Sequence, residues 1–279
     1  MVYADMHVHT NASDGRLSLE EIVEEAKKQD VKAVAITDHD TVNPQLREKH
    51  QTMDGVGVVT GAEVKAVHRG VEIEILCYFL EPGNHGLQKL FEEMNARRLE
   101  RMDKMVERFN SLDKEVGLEL EDIVELSTGS VGRPHFARAI VESGLESDFW
   151  TAFKKYASRE SPCYMPLEKP DVSVVMEGAK KSGALTSLAH PCNENIEDFR
   201  GFIKGLVDMG LDGCEVNYPY YKNNKNPKMD PVEVETVTEE LGLIKTGGSD
   251  FHDRENFTVG KRGVGKDIFD SMKDMAGIN

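Results

Sequence analysis

The sequence predicts an α/β fold, with strands and helices alternating around a barrel and a helical insertion set into it. Three observations predict it. Seven short apolar, β-branched runs recur along 279 residues, and helix-like segments separate most of them. Polar side chains of the metal-ligand type end five of the seven runs, as expected where strands deliver their C-terminal ends to one barrel mouth. A single stretch of about eighty residues interrupts the alternation and reads as helical.

The first run, VYADMH, spans 2–7. SLEEIVEEAKK follows over 18–28, with Ser18 as cap, acids in the first turn and Leu19, Ile22, Val23 and Ala26 on one face. VKAVAIT at 31–37, VGVVTGAE at 56–63 and VEIEILCYF at 71–79 are the next three strands. A helix beginning after Pro170 and stopping near Gly183 leads to ALTSLAH at 184–190. NIEDFRGFIKGLVDMG precedes GCEVNY at 213–218, and DPVEVETVTEELG precedes LIKTGGSD at 243–250. This alternation predicts a parallel sheet. The interruption assigns 1–85 and 165–279 to the barrel and 86–164 to an insertion over its mouth. Within it, LQKLFEEMNARRLERMDKMVERFNSL reads as one long helix with Leu99, Met102, Val106 and Phe109 as its apolar face. A Gly-rich turn then leads into a second helix at Pro134.

The formal net charge of −16 argues against a broad nucleic-acid face or attraction to an anionic membrane. A small anionic substrate stays compatible with it, because bound cations reverse the sign locally. Cys77, Cys163, Cys192 and Cys214 form no C-x-x-C pair and read as buried free thiols. No secretory leader or long apolar run is visible, so the expected location is the cytoplasm.

The chemistry lies in the strand ends. His7 and His9 alternate onto one face, with Asp14 arriving from the next loop. His39 within TDHD, Glu63, His190, and Asp250 with His252 end four further runs. Imidazole and carboxylate donors without thiolate suit zinc, manganese or iron. The donors exceed what one ion takes, so two or three divalent ions are expected, with Glu63 the natural bridge. Asp38 and Asp40 flank His39 and read equally as imidazole-orienting or turn-forming residues. His50, His68 and His85 read as surface residues, and Cys192 as packed. In GSVGRPH, main-chain N–H groups at a helix start join Arg133 and His135 in a combination that suits a phosphate. The stripe Arg97, Arg101, Lys104 and Arg108 reads first as a solvated helix face, with Arg97 and Arg101 the members that would help hold a phosphate.

Taken together, DMHVHTNASDG, ITDHDT, GAEV, LAHP and GGSDFH resemble the polymerase and histidinol phosphatase (PHP) family. The resemblance implies a distorted (β/α)7, TIM-like barrel with a metal cluster at its mouth. Its implied ligands are His7, His9, Asp14, His39, Glu63, His190, Asp250 and His252. Glu74 stands where many relatives have histidine, and a dinuclear centre is the reading this favours. GRPHFARAIVESG narrows the resemblance to a subgroup that dephosphorylates nucleoside 3′,5′-bisphosphates or attacks the 5′ ends of short oligoribonucleotides. The expected function is therefore metal-dependent hydrolysis of a phosphate ester of a small nucleotide. Glu63, Asp250, His190 and His252 would be catalytic, and no long nucleic acid or membrane would be a partner. The rival readings are a phosphatase for another small ester such as histidinol phosphate, a C–N hydrolase of the amidohydrolase type, and a non-catalytic nucleotide- or metal-binding domain.

Overall fold

Every residue of the first strand, β1 (Ala4–Val8), is buried, which places it inside the sheet rather than at an edge. The computed structural model describes residues 2–83, 86–112, 117–221, 226–254 and 258–278; His85 lies outside them. The other strands are β2 (Ala33–Ile36), β3 (His50–Met53), β4 (Val56–His68), β5 (Val71–Tyr78), β6 (Leu185–Leu188), β7 (Gly213–Asn217) and β8 (Ile244–Gly247). The hydrogen-bonded path runs β1-β2-β4-β5-β6-β7-β8, and its seven members are the seven strands expected. β3 is an unforeseen eighth strand, paired outside the path to β4 through an Asp54-Gly55 turn with both φ positive.

The parallel expectation fails at one strand. β5 runs antiparallel to both β4 and β6, whereas the remaining pairs along the path are parallel. Arg69 (φ 48°) and Gly70 (φ 79°) form a two-residue turn that returns the chain directly, so no crossover helix fits there. Beyond β8 the chain closes onto β1: Asp250 N–H donates to His7 C=O and His9 N–H to Phe251 C=O, both at 2.9 Å. Gly248 makes this approach possible, since a Cβ there would fall 2.3 Å from the His7 Cβ.

The first helix, α1 (Leu19–Lys28), starts at the expected Ser18 cap, which forms a reciprocal capping box with Glu21, and buries the expected Leu19, Ile22, Val23 and Ala26. α2 (Gln88–Asn110), α3 (Leu120–Val124), α4 (Arg133–Glu142) and α5 (Phe149–Ala152) follow β5, and α5 continues into a π turn at Phe153–Ala157. α6 (Val172–Ser182) is stopped by Gly183 at φ 62°. α7 (Phe199–Val207) and α8 (Pro231–Glu240) connect the last strands, and α9 (Lys266–Met275), which no sequence pattern singled out, follows β8.

α2 to α5 share an apolar cluster of their own that includes Met102, Val106, Phe109, Phe136, Ile140 and Tyr156. Phe109 meets Phe136 and Tyr156 edge-on, at 5.8 and 5.0 Å between centroids. Such pairs are worth ~0.5–1.5 kcal/mol each beyond burial. Leu99, expected on this face, is 40% exposed, while Arg98 and Arg101 are buried. The helical segment grips the loop after β1: Thr128 N–H donates to Asn11 C=O (2.9 Å), Ser130 N–H to Ala12 C=O (2.7 Å) and Arg138 Nη2 to Asp14 C=O (2.6 Å). His68 is buried against Phe202, its Nε2 3.3 Å from the Phe202 carbonyl, which corrects its reading as a surface residue. All four cysteines are free and buried. Among the described residues, no helix is long and apolar enough to cross a membrane.

Candidate metal centre

The β1 loop is built around a buried carboxylate. Asp38 accepts from Thr10 N–H (2.8 Å), Thr10 Oγ1 (2.7 Å) and Ser13 Oγ (2.6 Å), which fixes the backbone that presents Asp14. Asp40, at φ 51°, accepts from Lys65 N–H (3.1 Å) and from the Arg98 guanidinium. These bonds are loop-building, so the structural role of Asp38 and Asp40 prevails over the imidazole-orienting one.

All nine ligand-type residues meet at one mouth, most from strand ends or the loops after them. Glu63, expected to end its strand, and Glu74 reach it instead from within the long β4–β5 hairpin. His7 Nε2 lies 3.1 Å from His9 Nε2, 3.4 Å from Glu63 Oε1 and 3.4 Å from Asp250 Oδ1. His9 Nε2 is 3.4 Å from Glu63 Oε2 and 3.2 Å from Asp250 Oδ1. His39 Nδ1 is 2.9 Å from Glu63 Oε2, and His190 Nε2 is 3.0 Å from Glu63 Oε1 and 3.3 Å from Glu74 Oε2. His252 Nε2 is 3.2 Å from Asp14 Oδ1. Three groups bring their donor atoms within 4.8 Å: His9, Asp14, His39 and His252; His7, His9 and Glu63; and His39, Glu63 and Glu74. Glu63 belongs to two of them, as a bridging carboxylate would.

The donor set fits divalent cations on geometry. Asp14 Oδ1 and His39 Nδ1 are buried without a hydrogen-bond partner, although His39 Nδ1 lies 2.9 Å from a carboxylate oxygen. That is the approach of two donors to a common point rather than of a donor to an acceptor. His7 shows the same logic. Its Nδ1 lies 3.1 and 3.2 Å from the two oxygens of Glu215, so Nδ1–H donates there and the Nε2 lone pair faces the cluster. Glu215 Oε2 also accepts from His190 N–H at 2.9 Å.

Without cations, the carboxylates hold protons on His7, His39, His190 and His252, whereas burial and the neighbouring His252 lower His9. Burial opposes protonation of His7, yet Glu215, Glu63 and Asp250 keep it well above the usual imidazole range. Burial likewise opposes His190 and His252, but Glu63 and Glu74 raise the first to about 9, and Asp14 and Asp250 the second to about 10. Asp14 goes the other way: against burial, His252 and His39 hold it well below the usual carboxylate range. His190 (φ 25°) and Asp250 (φ 53°) occupy left-handed backbone, a strain of ~1–3 kcal/mol each. In metal-free protein the cluster is thus held by attraction between its own imidazoles and carboxylates, on a backbone strained at two points.

Of the cavities that reach the donors, two open beside Asp14. One, of ≈ 170 Å³, reaches Asp14 and His39 and is lined by Lys65, Arg98, Arg101, Arg133, Arg159 and Lys169. Burial first and the Arg133 guanidinium next pull Arg101 down to about 10, the mark of crowded cations. Arg101 Nε donates to Met165 C=O (2.7 Å) and Arg133 Nη1 to Ala157 C=O (3.2 Å) at the π turn. The other cavity, of ≈ 560 Å³, borders Asp14, Asp250 and His252 and is walled by Phe149, Trp150, Phe153, Tyr218 and Tyr220.

Of the four residues expected to hold phosphate, Arg101 and Arg133 line the basic cavity and two do not. Arg97 is exposed, and its neighbour Arg98 turns inward in its place. His135 is fully buried; its Nδ1 accepts from Gly132 N–H at 2.9 Å, and burial lowers it to about 4, leaving a neutral ring that supports the loop. Cys192 is packed, its thiol pushed up to about 11 by burial. Sequence reasoning missed Glu215, Tyr218 and Arg98. Tyr218 Oη donates to Asp250 Oδ2 at 2.8 Å. Glu215 and Tyr218 were legible by the rule that found the others, since both lie at the end of GCEVNY.

The family description "PHP domain" matches residues 5–161, more than half of the chain. The 5'-3' exoribonuclease Rnm of Escherichia coli (strain K12) is 28% identical over 257 residues, covering 90% of this chain and 85% of that protein. A 3',5'-nucleoside bisphosphate phosphatase of Chromobacterium violaceum is 24% identical over 266 residues, covering 90% and 88%. A solved structure from Bifidobacterium adolescentis, titled as a candidate metal-dependent phosphoesterase, superposes with a TM-score of 0.81 at 26% identity, covering 98% of this chain and 96% of that one. The β1 histidine pair, the convergent strand ends and these matches lead to one conclusion: the chain belongs to the PHP domain family.

Proposed function

We propose that this PHP protein is a metal-dependent phosphoesterase that cleaves a phosphate monoester from a small nucleotide carrying a second phosphate, such as a nucleoside 3′,5′-bisphosphate. The observation that carries this reading is the basic cavity touching Asp14 and His39. A cluster of ligand-type donors suits one phosphate, and the adjoining pocket, with the buried Arg101 and the half-buried Arg133 on its wall, suits another. The named relatives support the class, since one acts on such bisphosphates and another is an exoribonuclease.

Divalent ions, when bound, supply charge against the phosphoryl oxygens and a nucleophile at neutral pH. His7, His9, Asp14, His39, Glu63, His190, Asp250 and His252 would hold two of them, with Glu63 shared. Arg101 and Arg133 bind the phosphate that stays, and remote binding of this kind favours a doubly phosphorylated substrate. His252 borders the larger cavity, where the departing ribose oxygen would lie. With its Nδ1 held by the Asp250 carbonyl, its Nε2 would be committed to an ion, so the proton for that oxygen would come from water in the cavity. The aromatic walls of that cavity suit a stacked base. Trp150, 59% exposed at its rim, also suits a following nucleotide, which favours short 5′-phosphorylated RNA as the second reading. Residues 86–164 act here as the cap that completes the mouth.

The test is phosphate release from adenosine 3′,5′-bisphosphate with Mn²⁺, beside AMP, histidinol phosphate and a short 5′-phosphorylated RNA. Turnover of the bisphosphate well above AMP is expected. Equal turnover of AMP, or none of the bisphosphate by metal-loaded protein, would overturn the reading.

A further inference from the structure

Lys65 and Glu74 stand directly opposite each other in the antiparallel β4–β5 ladder. Strand alternation puts Lys65 on the same side as Glu63, facing the donor cluster. There its ammonium is ion-paired with Glu74. Glu74 also lies 3.8 Å from His39 Nδ1 and 3.3 Å from His190 Nε2, but of the carboxylates in the three donor groups it is the one that a lysine serves. Glu63 is paired with His7, His9, His39 and His190, and Asp14 with His9, His39 and His252. So two of the donor groups offer histidines and a carboxylate to an incoming ion. The third, His39, Glu63 and Glu74, already has a fixed positive charge on one of its members.

We propose that the Lys65 ammonium is a built-in cation for the third donor group, so that the chain carries two exchangeable divalent ions and no third. The inference rests on the metal reading of the site. Charge balance supports it: Asp14, Glu63, Glu74, Asp250 and the buried Glu215 behind His7 bring five negative charges, which two divalent ions and the Lys65 ammonium together cancel. The ammonium is well placed. Lys65 lines the basic cavity beside His39 and also a neighbouring cavity of ≈ 150 Å³ that contains Glu74 and His190. A third divalent ion on Glu74 would have to displace the ammonium or sit beside it, and like charges at that range in a buried site repel strongly. An ammonium also differs from an ion in kind, because a chelator leaves it in place.

The test counts ions. The full-length protein is loaded with Mn²⁺, freed of excess by gel filtration and assayed by plasma mass spectrometry, beside Lys65→Met. About two ions per chain in the wild type and about three in folded Lys65→Met are expected. Three in the wild type, or two in the folded variant, would overturn the proposal. Anomalous diffraction from Mn²⁺-loaded wild-type crystals decides the matter independently of how the variant folds. A peak among His39, Glu63 and Glu74 refutes the proposal, and Lys65 Nζ retained on Glu74 supports it. Protein that binds no ion at all would refute the metal centre itself, a result distinct from three.

Discussion

Glu215 makes the sharpest single test of the centre, because it should touch no ion and yet govern one of the expected ligands. Its two oxygens serve two donors, His7 Nδ1–H and His190 N–H. Glu215→Gln keeps the shape and removes one acceptor. If the amide oxygen faces His190 N–H, the NH₂ group faces His7 Nδ1, which must then give up its proton and hold it on Nε2, where it blocks ligation. If the amide is reversed, the buried His190 N–H loses its acceptor instead, at ~1–3 kcal/mol. Either arrangement weakens the site, and changes of this kind typically cost ~10- to 100-fold in metal affinity, or ~1.4–2.7 kcal/mol. The assay is competition between the protein and a chromophoric chelator for Mn²⁺ or Zn²⁺, with circular dichroism to show that the variant is folded. A folded Glu215→Gln protein with wild-type affinity would refute the argument that His7 is held in one tautomer for a cation.

Three further outcomes follow from the same geometry. His190 and His252, raised to about 9 and about 10, keep their protons at pH 7 in metal-free protein, so ligation must release them. Metal affinity therefore climbs as pH rises from 7 toward 9, and calorimetry in buffers of different ionisation enthalpy should report net proton release; identical heats in all buffers would contradict this. By the same sign, these histidines stabilise metal-free protein fully below about pH 6.5, and that contribution is lost as pH rises through about 9 to 10. Arg98→Met should lower unfolding stability by ~3–5 kcal/mol, because it strands the buried Asp40 carboxylate. Urea denaturation with an unchanged midpoint would show that the pair carries no such weight.

The donor residues were legible because one rule, that barrel strands end in chemistry, applied five times over and the β1 histidines shared a strand face. Glu215 obeys the same rule but stands as a lone acid among apolar neighbours, with nothing nearby in sequence to mark its partner, His7, some two hundred residues away. Arg97 and Arg98 show a different limit. A helix turns about 100° per residue, so neighbouring arginines face different directions, and only packing decides which turns inward. Here Arg98 lies in one i, i+4 row with the buried Met94 and Met102, and its guanidinium reaches Asp40. The antiparallel course of β5 was written in the short Arg69-Gly70 turn, whose signal was outweighed by the alternation around it. His68 looked exposed because it precedes that turn, and its burial is supplied by Phe202, far along the chain.

The loop from Thr10 to Asp14 belongs at once to the donor cluster and, through Thr128, Ser130 and Arg138, to the helical segment above it. Two binding events that share one strip of backbone are thermodynamically linked, and the linkage is reciprocal. If an ion fixes Asp14, it would also steady the helical segment that Arg138 ties to this loop. An anion bound at the proposed Arg133 site would then raise the hold on that ion by the same factor. Occupancy of the metal centre and recognition of a doubly charged substrate are, on this account, a single equilibrium viewed from its two ends.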